Sequence, residues 1–307
     1  MFPLAASVSP SLPRLSLDAT DPLYKALEPF AAYMADKEFA ENTIKAFLND
    51  IKLFVEFMGA ETPIIECSTN KLKRFVRYLQ IERGVPCSPK SLDRRVTTLK
   101  VFFGWLAHYD VIPADPSAPL IHQATGPRLP TALNDAQIRA LLSVTKSMRD
   151  APVAPDARPH LLVTLLISTG IKKAECMRLT LEHIDLSNPE RPTIYIHYDK
   201  PRQRFKARRI ALPAEWAETL QRYLKRYQPR DYLFECTPRN LEYVLHSVST
   251  LTRLPRKLTF EMLRWTSAVT SFKAGMDEEH LRKRLGLSRI SWRETLPIIQ
   301  HLAEEPL

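Results

Sequence analysis

Tyrosine runs out early in this chain: none of its 10 tyrosines lies beyond Tyr243, so the carboxy-terminal stretch has no phenol. Glycine is scarce as well, 7 against 25 prolines. Proline stops therefore punctuate the chain, with clusters at the amino terminus, at 113–130 and at 152–159. The cysteines Cys67, Cys87, Cys176 and Cys236 stand far apart, with no C-x-x-C or Cys/His ligand spacing. That argues against a disulfide framework or a structural metal and for a reduced interior; no cofactor motif is read. No apolar run approaches the length of a membrane span, and the first twenty residues lack a basic start followed by an apolar stretch, so a cytoplasmic protein is expected. Acidic residues are outnumbered: Asp+Glu 34 against Lys+Arg 44 leave a net charge of +10, the balance of a protein that meets a polyanion.

With 307 residues, 45% of them hydrophobic and 25% charged, the chain is an ordinary globular one, long enough for two domains with separate cores. Residues 1–20 mix Pro, Ser and small apolar residues without period and read as a flexible tail. Over 21–112 the apolar spacing is helical four times. Asp21 would cap a first helix carrying Leu23, Leu27, Phe30 and Tyr33. A second begins after Glu41-Asn42-Thr43 with Phe47, Ile51 and Phe54, and a third follows Ser68-Thr69-Asn70 with Leu72, Phe75 and Leu79. The fourth runs from Ser91 through Val96, Leu99, Phe102, Phe103 and Leu106. Short loops between them make a four-helix bundle. Residues 113–131, rich in proline and without period, read as an interdomain linker.

The second domain, 132–307, opens with Asn134 as a helix cap. Its apolar run Leu161 to Ile167 predicts a buried helix that Thr169-Gly170 stops. TIYIHY and FKARRIALP alternate as strands and predict a hairpin whose turn holds Lys200. From Lys200 to Arg209 six basic residues occur with no acid between them, a density that favours a polyanionic partner over a merely solvated tip. Helical patterns then return, with Asp277 as a cap and a last helix broken or kinked at Pro297.

The stretch Thr259 to Leu296 resembles the last two motif blocks of the tyrosine recombinases, also called phage integrases: H-x-x-R-[H/W], then L-G-[H/W], then a tyrosine nine residues on. Arg264, Trp265 and Leu285-Gly286 match. The first histidine position is Glu261, the second His/Trp position is Leu287, and the tyrosine position is Leu296. STGIKKAECMRLTLEHIDL resembles the block that carries the family's first arginine, with Lys172 at the arginine position, and Lys200 matches the hairpin lysine. ENTIKAFLNDIKLFVEFM and SPKSLDRRVTTLKVFFGWL resemble two helices of the family's core-binding domain. The resemblance implies a mainly α fold: a SAM-like four-helix core-binding bundle plus a mostly helical catalytic-type domain with a small β-hairpin or sheet. It also implies double-stranded DNA as partner, and hence a nucleoid-associated protein. Contacts to DNA are expected from Thr43, Lys45, Lys90, Arg94, Arg95 and Lys100 in the bundle and from Arg202, Arg204, Lys206 and Arg208 in the hairpin.

In that family a tyrosine attacks a DNA phosphate, two arginines grip its non-bridging oxygens and a lysine protonates the leaving oxygen. Here Arg264, Lys200 and Lys172 are the remaining catalytic-position residues. Lys172 keeps charge without the two-point grip of a guanidinium, and Leu296 cannot be a nucleophile. Three readings follow: a DNA-binding member that does not cut and accompanies an active recombinase; a strand-transfer enzyme whose nucleophile comes from a partner protomer, by self-association; or a protein-interaction module that kept the fold. Glu261 and Arg264 stand one helical turn apart, which predicts an ion pair that Lys172 would join.

Overall fold

The computed structural model describes residues 16–85, 87–122 and 129–304. The chain divides into two compact units, Met1–Pro127 and Arg128–Leu307. The expected tail lies outside the described residues up to Leu15, as do residues 123–128 of the expected linker.

The first unit is built from α1 (Leu27–Asp36), α2 (Glu41–Met58), α3 (Thr69–Arg77) and α4 (Pro89–His108). Their apolar faces meet in one core in which aromatic rings pack edge to face, Phe30 on Phe102 at 5.1 Å and Phe54 on Phe103 at 5.8 Å between centroids. Ser68 caps α3 and Ser88 caps α4, where Pro89 fits the first turn because that position needs no N–H partner. Asp21 does not cap α1. A short 3-10 turn, Leu23–Ala26, comes first, and Asp21 instead accepts from the backbone of Asp18 and pairs with Lys25. Past α3 the chain widens into a π-helical turn at Tyr78–Glu82. Residues 113–120 pack on this bundle: Leu120 and Ser117 are buried, and Thr69 donates to the Pro116 carbonyl.

In the second unit, α6 (Arg158–Thr169) is buried around most of its circumference. It is surrounded by α5 (Asp135–Arg149), α8 (Glu215–Tyr227), α9 (Pro238–Leu251) and α10 (Phe260–Lys273). Asn134 and Gln137 form a reciprocal capping box at the start of α5. After the short α7 (Lys173–Cys176) comes an antiparallel sheet in the order β1 (Ile184–Asp185), β2 (Thr193–Ile196), β3 (Arg208–Ala211). Ile194 lies opposite Ile210, so the sheet's apolar face closes on α6 and its neighbours. Then α11 (Glu278–Arg284), capped by Asp277, and α12 (Arg289–Glu304) pack against α10. Pro297 lies inside α12 without ending it. Among the described residues no helix is long and apolar enough to cross a membrane.

Candidate functional site

Thr259 caps α10, its hydroxyl accepting from the Met262 N–H at 3.0 Å, and so fixes the turn from which Arg264 projects. The Arg264 guanidinium donates to the Gly170 carbonyl and, at 2.7 Å, to the Leu285 carbonyl. Those two residues terminate α6 and α11. The last carbonyls of a helix have no partner within it and carry the negative end of its dipole, so a cation is held there strongly. Gly170 takes φ 61°, and a Cβ on it would meet Leu285 at 3.0 Å and Ser267 at 3.1 Å, so the close approach of α6 to α10 and α11 requires the glycine.

The expected pair between Glu261 and Arg264 is not formed. Glu261 is exposed, and Arg264 turns inward to the two helix ends. Burial, against the pull of Glu175 and with the push of Arg208, lowers the Arg264 pKa to about 10. Burial also lowers the amine of Lys172, and Arg264 adds to that shift. Lys172 and Arg264 together line a cavity of about 240 Å³ with Glu261, Leu287 and Thr295. Both also line a larger groove of about 830 Å³, shared with Tyr243, His246 and Lys257. Two desolvated cations facing one space form a site for an anion.

Beneath them Glu175 is the buried counter-charge. It accepts from Arg208 at 3.0 and 2.9 Å, from the Tyr198 hydroxyl at 2.6 Å and from the Lys172 backbone N–H at 2.8 Å. Burial alone would raise this carboxyl, but the Arg208 guanidinium and these donors outweigh it and hold its pKa at about 2. Arg208 also donates to the Arg284 carbonyl at 2.6 Å, and its side chain is only 7% exposed. Arg208, expected among the DNA contacts, is thus engaged as a buried anchor of the hairpin.

The hairpin's turn is longer than a simple loop and forms a 3-10 helix, Pro201–Lys206. Lys200, Arg202 and Arg204 are exposed on it, whereas Lys206 is half-buried, its Nζ 5.6 Å from the Tyr198 ring. Of the two hairpin lysines it is therefore Lys206 that leans toward the cluster around Glu175. At the positions where the resemblance expects the second His/Trp and the tyrosine, the side chains make apolar contacts. Leu287 and Leu296 both pack against the cluster of Ala268, Leu281, Leu285, Trp292 and Ile299.

In the first unit Asp50 is buried between Arg94, Arg95 (3.3 Å) and the Thr98 hydroxyl (3.0 Å). Burial pushes its carboxyl up although both arginines oppose this. Arg95 turns inward and also donates to Cys87 Sγ at 2.8 Å, while Arg94 remains 40% exposed. Lys90 is exposed, Lys45 pairs with Glu41 on the surface, Thr43 is half-buried, and Lys100 reaches the Ala118 carbonyl at 3.4 Å. Glu175 lies in the block that resembles the family's first-arginine motif, whereas Tyr198 and the groove residues Tyr243, His246 and Lys257 carry no local sequence signal of their role. Among the described residues no group of three or more His, Cys, Asp or Glu could hold a metal ion.

The phage integrase family model matches residues 131–294, and the model for the N-terminal SAM-like domain of phage integrases matches 27–112. Tyrosine recombinase XerC of Anoxybacillus flavithermus is 25% identical over 86% of this chain and 90% of its own length. Tyrosine recombinase XerD of Listeria innocua is 23% identical over 88% and 91%. The same fold occurs in the XerH site-specific recombinase bound to palindromic difH substrate, with TM-score 0.71, 17% identity and coverage of 95% of this chain and 97% of that one. A lambda integrase dimer bound to a COC′ core site superposes with TM-score 0.70, 14% identity and coverage of 93% and 79%.

Proposed function

Because the chain belongs to the phage integrase family, we propose that it binds duplex DNA without cutting it and serves as an accessory subunit beside an active recombinase. The observation that carries this reading is a split within one site. Lys172 and Arg264 still line the same cavity, while Leu287 and Leu296 fill the reactive positions with hydrocarbon. A phosphate brought into the cavity would meet two cations whose desolvation it relieves. No hydroxyl stands at position 296 to attack it. Thr295 lines the cavity, but its hydroxyl donates to the Ser291 carbonyl at 2.7 Å, and an alcohol is a far weaker acid than a phenol.

The test is a gel shift on mixed-sequence duplexes at several salt concentrations, followed by a denaturing gel after incubation with a nicked suicide duplex. Retarded complexes without covalent adduct support the reading, and an adduct mapped to any residue of this chain overturns it. The open cavity also favours one second reading, a nucleophile delivered into it by a partner protomer. Mixing the chain with an active recombinase and finding cleavage that needs Lys172 and Arg264 of this chain would establish that reading instead.

A further inference from the structure

Phe205 is 56% exposed at the tip of the hairpin, the one aromatic in a turn otherwise built of cations, proline and glutamine. The turn is formed rather than loose: Gln203 N–H donates to the Lys200 carbonyl at 2.8 Å and Ala207 N–H to the Arg204 carbonyl at 2.9 Å. One foot of the tip is fixed by the buried pair of Arg208 with Glu175. The Lys206 ammonium lies over the ring, its Nζ 5.4 Å from the Phe205 centroid. A phenyl ring held out on a fixed backbone gains apolar burial only from a partner, and its neighbours Lys200, Arg202 and Arg204 restrict that partner to a polyanion.

Resting on the reading of this hairpin as a DNA-facing element, we propose that Phe205 is a wedge that inserts at a base step of the duplex whose phosphates the surrounding cations hold. Bases offer a π-face to an aromatic ring whatever their sequence, and apolar side chains beside cations are the means by which minor-groove proteins unstack a step. An anionic bilayer would also accept a ring among cations. A single phenyl group provides too little apolar area to hold the chain on one, which favours the duplex.

The experiment uses the full chain with F205W and F205A. Of the four tryptophans, Trp105, Trp216 and Trp292 are buried and Trp265 is half-buried. A tryptophan placed at 205 is therefore the one most open to acrylamide, and the wild-type chain gives the duplex-dependent signal of Trp265 to subtract. Adding a mixed-sequence duplex should shield F205W from acrylamide. F205A should bind about tenfold more weakly, the net of stacking gained and unstacking lost, with the slope of log K against log salt unchanged because no charge is removed. A tryptophan that stays open to quencher in the complex, together with wild-type affinity of F205A, overturns the wedge and leaves the DNA reading intact. Shielding by phosphatidylserine vesicles and not by duplex overturns it in favour of lipid. A wild-type chain that retards no duplex at low salt removes the DNA reading itself and the wedge with it.

Discussion

Arg208 and Glu175 face each other through two parallel hydrogen bonds, 3.0 and 2.9 Å, with the carboxylate side chain 1% and the guanidinium 7% exposed. The pair joins β3 to α7. Through the Arg208 bond to the Arg284 carbonyl it also holds the end of α11. Gly286 makes room for it, since a Cβ there would stand 2.6 Å from Arg208 Nη1. Removing one partner strands the other charge in the interior. Glu175→Gln should therefore destabilise the chain by about 3–5 kcal/mol, read as a lower urea midpoint, whereas replacing both residues by apolar ones of similar size should cost much less. The pair also sets an acid dependence. The Glu175 carboxyl is depressed from 4.5 to about 2, so its contribution is fully present above pH 4.5 and is lost as pH falls toward 2. Wild-type stability should fall through that window more steeply than that of Glu175→Gln. Parallel denaturation curves for the two proteins between pH 5 and the acid limit would contradict the assignment.

Lys172 has the opposite sign. Burial lowers its amine, so the charged form is held at a cost that is full below the lowered value and fades as pH rises from there toward 10.5. Lys172→Met should raise the thermal midpoint at neutral pH and weaken duplex binding in the same protein. A variant that is less stable, or that binds as before, would remove Lys172 from the anion site.

For Arg264 and Glu261 the observed geometry reverses the expectation of an ion pair. Glu261→Gln should change duplex binding little. Arg264→Ala should weaken it strongly and should also cost about 1–3 kcal/mol by leaving the Gly170 and Leu285 carbonyls without a donor. Melting curves and gel shifts on the two variants separate these effects.

Arg202 and Arg204 are exposed at the hairpin tip. Neutralising both should reduce the salt slope of binding by about 0.9 for each phosphate that is no longer neutralised. An unchanged slope would take the tip out of the interface.

Leu296→Tyr alone should give no covalent adduct on a denaturing gel, because Lys172, Glu261 and Leu287 remain altered and residues of one catalytic unit do not act independently. An adduct formed by the single variant would mean that the rest of the site is intact.

The helices were legible because apolar residues three and four apart have little choice but to face a core, and Asn134, Asp277 and Gly170 mark their ends by local chemistry. The split of the lysine and arginine positions from the apolar ones was legible too, since it lies in side-chain identity. What the sequence could not disclose depends on partners distant along the chain. Arg208 sits within a basic run that reads as a tip facing a polyanion, and the carboxylate that buries it is 33 positions away. Glu261 and Arg264 have favourable helical spacing, worth about 0.2–0.5 kcal/mol for such a pair. Two helix-end carbonyls 94 and 21 positions away compete for the same guanidinium in a less polar setting and win. The two-residue β1 and the 3-10 turn at Pro201–Lys206 are too short to leave a periodic trace.

Leu287 and Leu296 meet the same hydrocarbon cluster between α10, α11 and α12. A hydroxyl or imidazole at either position would enter an apolar contact without a waiting partner. The cluster thus ties the two positions together: a polar side chain at one of them alone loosens the seating of α11 and α12 on α10 while the other still demands hydrocarbon, so the pair tolerates change jointly better than singly.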